Sequence, residues 1–181
     1  MQKKDNIISV DVETAGPIPG EYSLLSIGAC PLHSPDDGFY LELKPINENA
    51  VPEALKVTGF SLNKLQSTGA EPGKAMTQFA EWIKRQGMNG DPILAGFNVG
   101  FDWSFINWYF HKFTGANPFG YVSLDIKSYF MGLSGCSWAE TRSSRMPKQF
   151  QPKTVATHNA LHDARAQAEM LSTMLSHKTD L

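Results

Sequence analysis

Two carboxylates close the first apolar stretch of the chain. The segment ISVDVE at residues 8–13 alternates apolar and polar side chains and ends in Asp11 and Glu13. Because alternate residues of a strand share a face, both acids point the same way. Two ionised carboxylates about 4 Å apart repel by about 4 kcal/mol at an effective dielectric near 20. A proton, a basic side chain or a metal ion must offset that repulsion, unless the pair is a solvated strand end.

A third acid opens the aromatic segment FNVGFDWSFINWYF at residues 97–110. Asp102 lies at the start of a predicted helix, one turn before Phe105 and Ile106, and therefore leans toward the buried stripe. A first-turn acid can also simply satisfy free backbone amides and the helix dipole. The neighbouring aromatic side chains are interpreted as core rather than as a base-stacking platform, and they include Trp103, Trp108 and Phe110.

The segment THNALHDARAQAEML at residues 157–171 adds a histidine and a fourth acid. Asn159 is a plausible N-cap, which places His158 in the preceding loop and Asp163 in the first helical turn. Taken alone, such a histidine is commonly structural, and such an aspartate commonly pairs with the helix dipole. The three segments gain meaning only when they are taken together.

Hydrophobic periodicity predicts the elements that must position these groups. Strands are predicted at Ile7–Glu13, Ser23–Leu32 and Asp37–Pro45, joined by short loops as in an antiparallel meander. Helices and strands then alternate: a helix at 71–87, a strand at 91–98, a helix at 100–113, a strand at 120–126 leading into the segment KSYFMGL at 127–133, and a last helix from about Ala160 whose apolar face carries Leu161, Ala164, Ala168, Leu171 and Leu175. This order predicts an α/β fold, with a mixed sheet covered by helices.

Bulk properties limit the class of protein. The chain has 181 residues, 41% hydrophobic and 19% charged, which suits one globular domain spanning 1–181. No run approaches the roughly 18–20 apolar residues of a membrane span, and Lys3 and Lys4 lead directly into the first strand without a signal segment. Cys30 and Cys136 have no metal or redox spacing, so a cytoplasmic protein with reduced thiols is predicted. The net charge of −2 neither indicates nor excludes a nucleic-acid partner.

Three motifs occur in order along the chain: DVETAG at 11–16, FNVGFD at 97–102 and HNALHD at 158–163. The set resembles the DEDDh family of 3′→5′ exonucleases, which includes ribonuclease T, oligoribonuclease and the epsilon subunit of bacterial DNA polymerase III. The resemblance covers essentially the whole chain. It implies a ribonuclease H-like fold, with a mixed five-stranded sheet of three antiparallel and two parallel strands flanked by helices, in agreement with the predicted elements.

The resemblance also implies roles for the motif residues. Asp11, Glu13, Asp102 and Asp163 correspond to the four acids that hold two divalent cations, Mg²⁺ or Mn²⁺, which prefer carboxylate oxygens. His158 corresponds to the general base, and the family spacing favours it over the adjacent His162. The expected reaction is the release of nucleoside 5′-monophosphates from the 3′ ends of single-stranded RNA or DNA by a two-metal mechanism.

Substrate contacts are predicted around these motifs. Ala15 and Phe97 depart from residues common in relatives, and both bear on substrate fit rather than on the presumed metal ligands. The segment 141–153 carries four basic residues and no acid, so it is predicted to grip phosphates, although a solvated loop would look the same. The substrate-binding candidates are Thr14, Ala15, Tyr22, Leu25, Asn98, Phe101, Arg142 and Arg145, and for Leu25 a place in the core is an equal alternative.

Three other interpretations of these motifs stay open. A ribonuclease H-like endonuclease or integrase also gathers acids around two metals, a glycosidase could use Asp11 and Glu13 as its carboxylate pair, and a non-catalytic nucleic-acid-binding module could share the fold. The sequence does not separate RNA from DNA, because that choice depends on contacts to the 2′-hydroxyl. Small relatives are often homodimers, so a homodimer is an expectation that the resemblance alone carries.

Overall fold

The computed structural model describes residues 5–87, 90–153 and 157–177. Five strands form one mixed sheet in the order β3-β2-β1-β4-β5, antiparallel over β3-β2-β1 and parallel over β1-β4-β5, which confirms the predicted α/β class and strand arrangement. In chain order the elements are β1 (Ile7–Thr14), β2 (Leu24–Pro31), β3 (Phe39–Glu42), α1 (Pro52–Thr58), α2 (Leu62–Thr68), α3 (Pro72–Arg85), β4 (Ile93–Gly96), α4 (Gly100–Thr114), β5 (Ser123–Asp125), α5 (Ile126–Ser134) and α6 (Ala160–Ser176).

The central strand β1 extends well beyond the point where its neighbour β4 ends. It pairs antiparallel with β2 along its whole length but parallel with β4 only over Ile7–Ser9. Beyond Ser9 the edge of β1 that faces β4 is therefore open. Asp11 and Glu13 follow directly in this open part. The divergence of β1 and β4 is the kind of crevice where open α/β sheets bind ligands.

The two faces of the sheet are covered by different helices. Ile8, Val10 and Val12 are buried on one face in a core completed by α3 and α4. The opposite face of β1 and β2 packs against α6. Leu161, Ala164, Ala168 and Leu171 follow the predicted stripe, but Leu175 is 45% exposed, so its predicted place on the buried face is wrong. Met174 and Gln167 lie inward instead, because the helix turns its contact face slightly along its length.

Gly28 of β2 sets the distance between α6 and the sheet. It lies opposite Asp11 in the register of β1 and β2. A Cβ atom at this position would lie 2.0 Å from the backbone carbonyl carbon of Ala160 and 2.1 Å from the backbone nitrogen of Leu161. The absence of a side chain thus lets the first turn of α6 rest on the strand. Asp163, in that same turn, is brought over the acids of β1.

Some parts of the fold differ from the sequence prediction. The third strand is shorter than predicted, and helices α1 and α2 were not predicted because neither presents a long apolar stripe. The basic segment 141–153 is an ordered connection and not a plain loop: Met146 and Phe150 are buried in the core near α6. Three short 3₁₀ turns in this region span Trp138–Thr141, Ser143–Arg145 and Lys148–Phe150. Within the described ranges, no helix has both the length and the apolar character needed to cross a membrane.

Candidate active site

The residues singled out by the three motifs meet in one open pocket of about 260 Å³. The pocket lies at the divergence of β1 and β4, and the elements that build its walls come from widely separated parts of the chain. Its lining residues are Asp11, Val12, Glu13, Phe97, Asn98, Phe101, Asp102, His158 and Asp163. Four carboxylates therefore face one another, with a single histidine and no lysine or arginine among these lining residues.

Strand β1 supplies the first two acids on its α6-facing side. Asp11 is half-buried and Glu13 is 8% exposed. The pairing register between β1 and β2 shifts between Glu13 and Thr14, so the strand bends directly after the second acid. Regular strand geometry thus fixes the relative orientation of the pair, and the irregularity turns the chain away before it can cover the pocket.

Asp102 occupies the open edge of β1 from the first turn of α4. Its Oδ1 accepts a hydrogen bond of 3.0 Å from the backbone N–H of Val12, between the two acids of β1. That N–H has no strand partner on this side, because β4 pairs with β1 only up to Ser9. Asp102 is 6% exposed, so the predicted buried orientation is confirmed. The hydrogen bond joins the start of α4 to the strand that carries Asp11 and Glu13.

Asp163 fixes the backbone of the segment that carries His158. Its Oδ1 accepts from the N–H of Thr157 at 2.8 Å and its Oδ2 from the N–H of His158 at 3.1 Å. Asn159 caps α6, as predicted, by accepting from the N–H of His162 at 3.2 Å. His158 has a φ of 56°, a left-handed conformation that costs energy for a non-glycine residue. Its exposed imidazole lines the pocket, whereas His162 Nδ1 lies 3.3 Å from Thr157 Oγ1.

The electrostatics of the pocket disfavour full ionisation of the acids. Burial raises the pKa of Glu13 to about 8, and repulsion from Asp163 and Asp102 adds to the effect. Burial also raises the pKa of Asp102 to about 7, against the opposing effect of the hydrogen bond from Val12. For Asp11, burial and then repulsion from Asp102 and Glu13 hold the pKa well above its ordinary value. The charge is not balanced by protein cations, so protons or metal ions must balance it.

The donor set fits a hard divalent cation. One ligand atom each from Glu13, His158 and Asp163 lies within 4.8 Å of the other two. Asp11 and Asp102 face the same pocket, and carboxylate oxygens are the ligands that Mg²⁺ and Mn²⁺ prefer. A bound cation would also relieve the repulsion that raises the pKa values of these acids. This acidic group is where the chain could hold a divalent metal ion.

Two residues that the sequence prediction missed hold the pocket walls in place. Gln167 Nε2 donates to Asp11 Oδ1 at 2.6 Å, and its Oε1 accepts from the N–H of Phe97 at 2.9 Å. Asp125, the N-cap of α5, accepts from the N–H of Val99 at 2.9 Å. The contact between Gln167 and Asp11 could have been suspected from the sequence, because Gln167 is a polar residue on the otherwise alanine-rich inner face of α6. No local sequence pattern indicated the contact between Asp125 and Val99.

Four of the predicted substrate-binding residues lie in or beside the end of β1 and the start of β2. Ala15 and Leu25 are fully buried and pack with Leu65, so their side chains belong to the core and do not line the pocket. Thr14 is buried, and its hydroxyl donates to the carbonyl of Gly16 at 2.9 Å. Tyr22 is partly exposed and packs on the same cluster. Of the four, only the Tyr22 side chain retains a substantial exposed surface.

The other four predicted substrate-binding residues are exposed. Asn98 and Phe101 line the pocket itself, and Asn98 has a φ of 64°. Arg142 and Arg145 lie on the surface of segment 141–153, where Arg145 Nη1 donates to the carbonyl of Ala139 at 3.3 Å. A second cavity of about 410 Å³ connects the two regions, lined by Asp11, Asp163 and Phe97 on one side and by Ser143, Ser144, Gln151 and Pro152 on the other.

The mixed sheet, with four acids and a histidine where β1 and β4 diverge, is the arrangement that the resemblance to the DEDDh nucleases predicted. Solved structures share the fold. The nuclease domain of 3′hExo, described as a DEDDh family member bound to rAMP, superposes with a TM-score of 0.75 at 15% identity over 96% of this chain and 93% of that one. Exonuclease I of E. coli, in complex with a dT13 oligonucleotide, has a TM-score of 0.73 at 16% identity over 96% of this chain, which covers 41% of that protein.

Sequence comparisons give the family. A family model described as exonuclease matches residues 8–171. The 3′-5′ DNA exonuclease Cap18 of Escherichia coli is 52% identical over 98% of this chain and 97% of its own length. Ribonuclease T of Haemophilus influenzae is 26% identical over 96% of this chain and 81% of its own length. The chain belongs to this exonuclease family and is a 3′-5′ exonuclease of the DEDDh type, which confirms the predicted resemblance and favours it over the glycosidase and endonuclease alternatives.

Proposed function

We propose that the chain removes nucleotides from the 3′ ends of single-stranded DNA with the help of two divalent cations, Mg²⁺ or Mn²⁺, and releases nucleoside 5′-monophosphates. The observation that carries the proposal is the convergence of Asp11, Glu13, Asp102, His158 and Asp163 in one pocket. DNA is proposed as the preferred substrate because the relative at 52% identity is named a DNA exonuclease. RNA is the second candidate, because ribonuclease T is 26% identical over nearly the whole chain.

Each pocket residue has a proposed role in the reaction. Asp11, Glu13, Asp102 and Asp163 would hold the cations, which when bound stabilise developing negative charge on the phosphodiester and favour ionisation of the attacking water. His158 accepts the proton of that water, since its imidazole lines the same pocket and is open to solvent. Asp102 also keeps α4 against β1 through its bond to Val12.

Residues around the pocket would hold the nucleic-acid strand. Asn98, in the loop between β4 and α4, and Phe101, in the first turn of α4, line the pocket where the 3′ end would lie. Tyr22, just before β2, is partly exposed and would contact the same strand. Thr14, Ala15 and Leu25 are buried and would act mainly by supporting the surface on which the substrate binds. Arg142 and Arg145 would bind backbone phosphates beyond the second cavity. We also propose that the chain acts as one domain in the cytoplasm, and that a homodimer is its working form.

A gel assay tests the proposal. End-labelled single-stranded DNA, single-stranded RNA, blunt duplex and a closed circular strand are incubated with Mg²⁺, Mn²⁺ or EDTA. The expected result is a ladder of products shortened from the 3′ end of single-stranded DNA, none with EDTA and none from the circle. Asp11→Ala and Asp163→Ala should abolish the ladder, while Asp37→Ala, an exposed acid outside the pocket, should not. Near-normal turnover by either pocket variant, or cleavage of the circle, would overturn the mechanism.

A further inference from the structure

Beside the pocket, a lysine is placed between two aromatic rings on the surface. The Nζ atom of Lys127, in the first turn of α5, lies 4.0 Å from the ring centroid of Trp138 and 5.9 Å from that of Phe97. Trp138 is 51% exposed, which is unusual for so large an apolar side chain. Lys127 forms no ion pair within the part of the chain that the structure describes. Phe97 packs partly against the core near α6, whereas the Trp138 ring stays exposed.

The arrangement is rigid. Trp138 opens a 3₁₀ turn whose N-cap, Ser137, donates to Glu140 at 2.7 Å from its hydroxyl and at 2.9 Å from its N–H. The turn is closed by Thr141, which is fully buried and donates to the carbonyl of Trp138 at 2.7 Å. Phe97 is held through its N–H by Gln167. The fold therefore keeps an exposed tryptophan in a fixed place instead of letting it collapse onto the core.

Phe97 makes this group continuous with the candidate active site. Its side chain lines both the carboxylate pocket and the second cavity of about 410 Å³. Lys127 beside Phe97, and the exposed Arg142 and Arg145 of segment 141–153, supply positive charge outside the carboxylate pocket. Glu140 is the one acid of the 3₁₀ turn, and its carboxylate is engaged by Ser137. A polyanion leaving the pocket past Phe97 would therefore meet a cation and two aromatic faces.

We propose that Phe97, Lys127 and Trp138 form a nucleotide platform that holds the substrate strand inward of its 3′-terminal nucleotide. Bases stack on aromatic faces without regard to sequence, and an adjacent ammonium group pairs with the phosphate, which is how single strands are commonly held. The platform rests on the proposed function, because its ligand is the same strand that the carboxylate pocket cleaves. Its role is in binding and not in the chemical step.

Fluorescence tests the platform apart from catalysis. Trp138 is the only one of the four tryptophans that is exposed, so its emission should be quenched when single-stranded DNA binds in Ca²⁺ buffer, with the strand checked on a gel for integrity. Trp138→Phe should lose the quenching but keep the affinity. Trp138→Leu should weaken binding of a long strand about tenfold, since stacking contributes a factor of this order per base. Circular dichroism of each variant checks that it is folded.

Two further comparisons separate the platform from the carboxylate pocket. Trp138→Leu should raise KM for a long strand with little change in kcat, and should affect a dinucleotide much less. Lys127→Gln should lower the salt dependence of binding by about 0.7 in log–log slope, the value for one phosphate contact on a single strand. Lys112→Gln, at an exposed lysine in the last turn of α4, is the matched control.

The platform would be overturned if Trp138→Leu and Lys127→Gln both bound DNA and RNA of every length as tightly as the wild type does. A protein partner would then be the better candidate for this surface. An equal loss for the dinucleotide and the long strand would also overturn the platform, because the effect would then lie in the pocket. Failure of the proposed function looks different: the wild-type protein would then produce no ladder at all.

Discussion

Gln167 Nε2 donates a hydrogen bond of 2.6 Å to Asp11 Oδ1, across 156 residues of sequence. Through its Oε1, which accepts from the N–H of Phe97, the same side chain ties the loop after β4 to the acid on β1. A buried amide that joins two pocket walls orients the carboxylate much as the outer hydrogen bonds of a metal site do. Gln167 is therefore a positioning residue for Asp11.

Gln167→Leu should lower kcat and weaken Mn²⁺ binding, each by about tenfold or more, as the loss of such an outer partner commonly does. The variant leaves the N–H of Phe97 without a partner, at a cost of about 1–3 kcal/mol. Calorimetric titration with Mn²⁺ measures the affinity directly, without relying on activity. Gln66→Leu, an exposed position in α2, is the control, and an unchanged Mn²⁺ affinity in Gln167→Leu would contradict the positioning role.

Gly28→Ala should damage both stability and activity. The new methyl group would lie 2.0 Å from the backbone of Ala160, and backbone cannot move aside as a flexible side chain can. Overpacking of this kind costs about 1–3 kcal/mol, and a displaced α6 carries Asp163 away from Asp11. Urea unfolding and the nuclease assay measure the two effects. Gly132→Ala in α5, where a Cβ meets nothing within 4 Å, should be neutral or stabilising; equal behaviour of the two variants would refute the close approach.

Stability without metal should fall as pH rises from about 4 to 8, because over this range the pocket acids are ionised in the unfolded chain but still protonated in the folded one. In the folded state the pKa of Glu13 is about 8 and that of Asp102 about 7, whereas unfolded carboxyl groups titrate near 4. The folded state thus holds more protons, and each one retained lowers the free energy of unfolding by about 1.4 kcal/mol per pH unit. This contribution to stability is therefore fully present below about pH 4, and it is lost as pH rises through the folded pKa values of about 7 and 8.

Urea unfolding in EDTA across this pH range measures the effect. Mg²⁺ or Mn²⁺ should remove most of the slope, since a cation replaces the protons, and metal affinity should rise over the same range. Asp102→Asn should flatten the metal-free profile. A metal-free stability that increases steadily between these pH values would show that the acids are not in mutual repulsion.

His158→Asn should lower kcat by about 10²–10⁴, the usual contribution of a general base, with little change in the affinity for DNA. Asparagine is the appropriate replacement because His158 has a φ of 56°, and asparagine tolerates this left-handed conformation better than alanine does. His162→Asn is the matched control, because the His162 ring lies near Thr157. A larger loss in His162→Asn than in His158→Asn would reverse the assignment.

Replacing Arg142 and Arg145 with glutamine should weaken DNA binding and flatten its salt dependence. Both side chains are exposed, and each phosphate contact that is lost should reduce the log–log salt slope by about 0.7. Fluorescence anisotropy of a labelled strand at several salt concentrations measures the slope. Arg85→Gln, exposed at the end of α3, should leave it unchanged. If the double variant binds as tightly as wild type at low salt, the segment 141–153 is not a phosphate contact.

The sequence by itself determined the acids, the histidine and the elements that carry them. Asp11 and Glu13 share a face because strand alternation is local, and Asn159 caps α6 because capping depends on residues three apart. Asp102 could be placed on the buried side of its helix from the spacing to Phe105 alone. These are short-range rules. The nuclease class and the ribonuclease H-like fold were indicated by the resemblance of the three ordered motifs to the DEDDh exonucleases.

Only the tertiary structure decided how closely these groups meet and what holds them. The bond from Gln167 to Asp11, the contact of Gly28 with Ala160 and the Asp102 bond to the open edge of β1 join residues far apart in sequence. Likewise, segment 141–153 is ordered because Met146 and Phe150 are buried beside α6. The basic composition of the segment had predicted only an exposed loop. Such contacts depend on how whole elements pack, and packing is a sum over the chain that no local pattern contains.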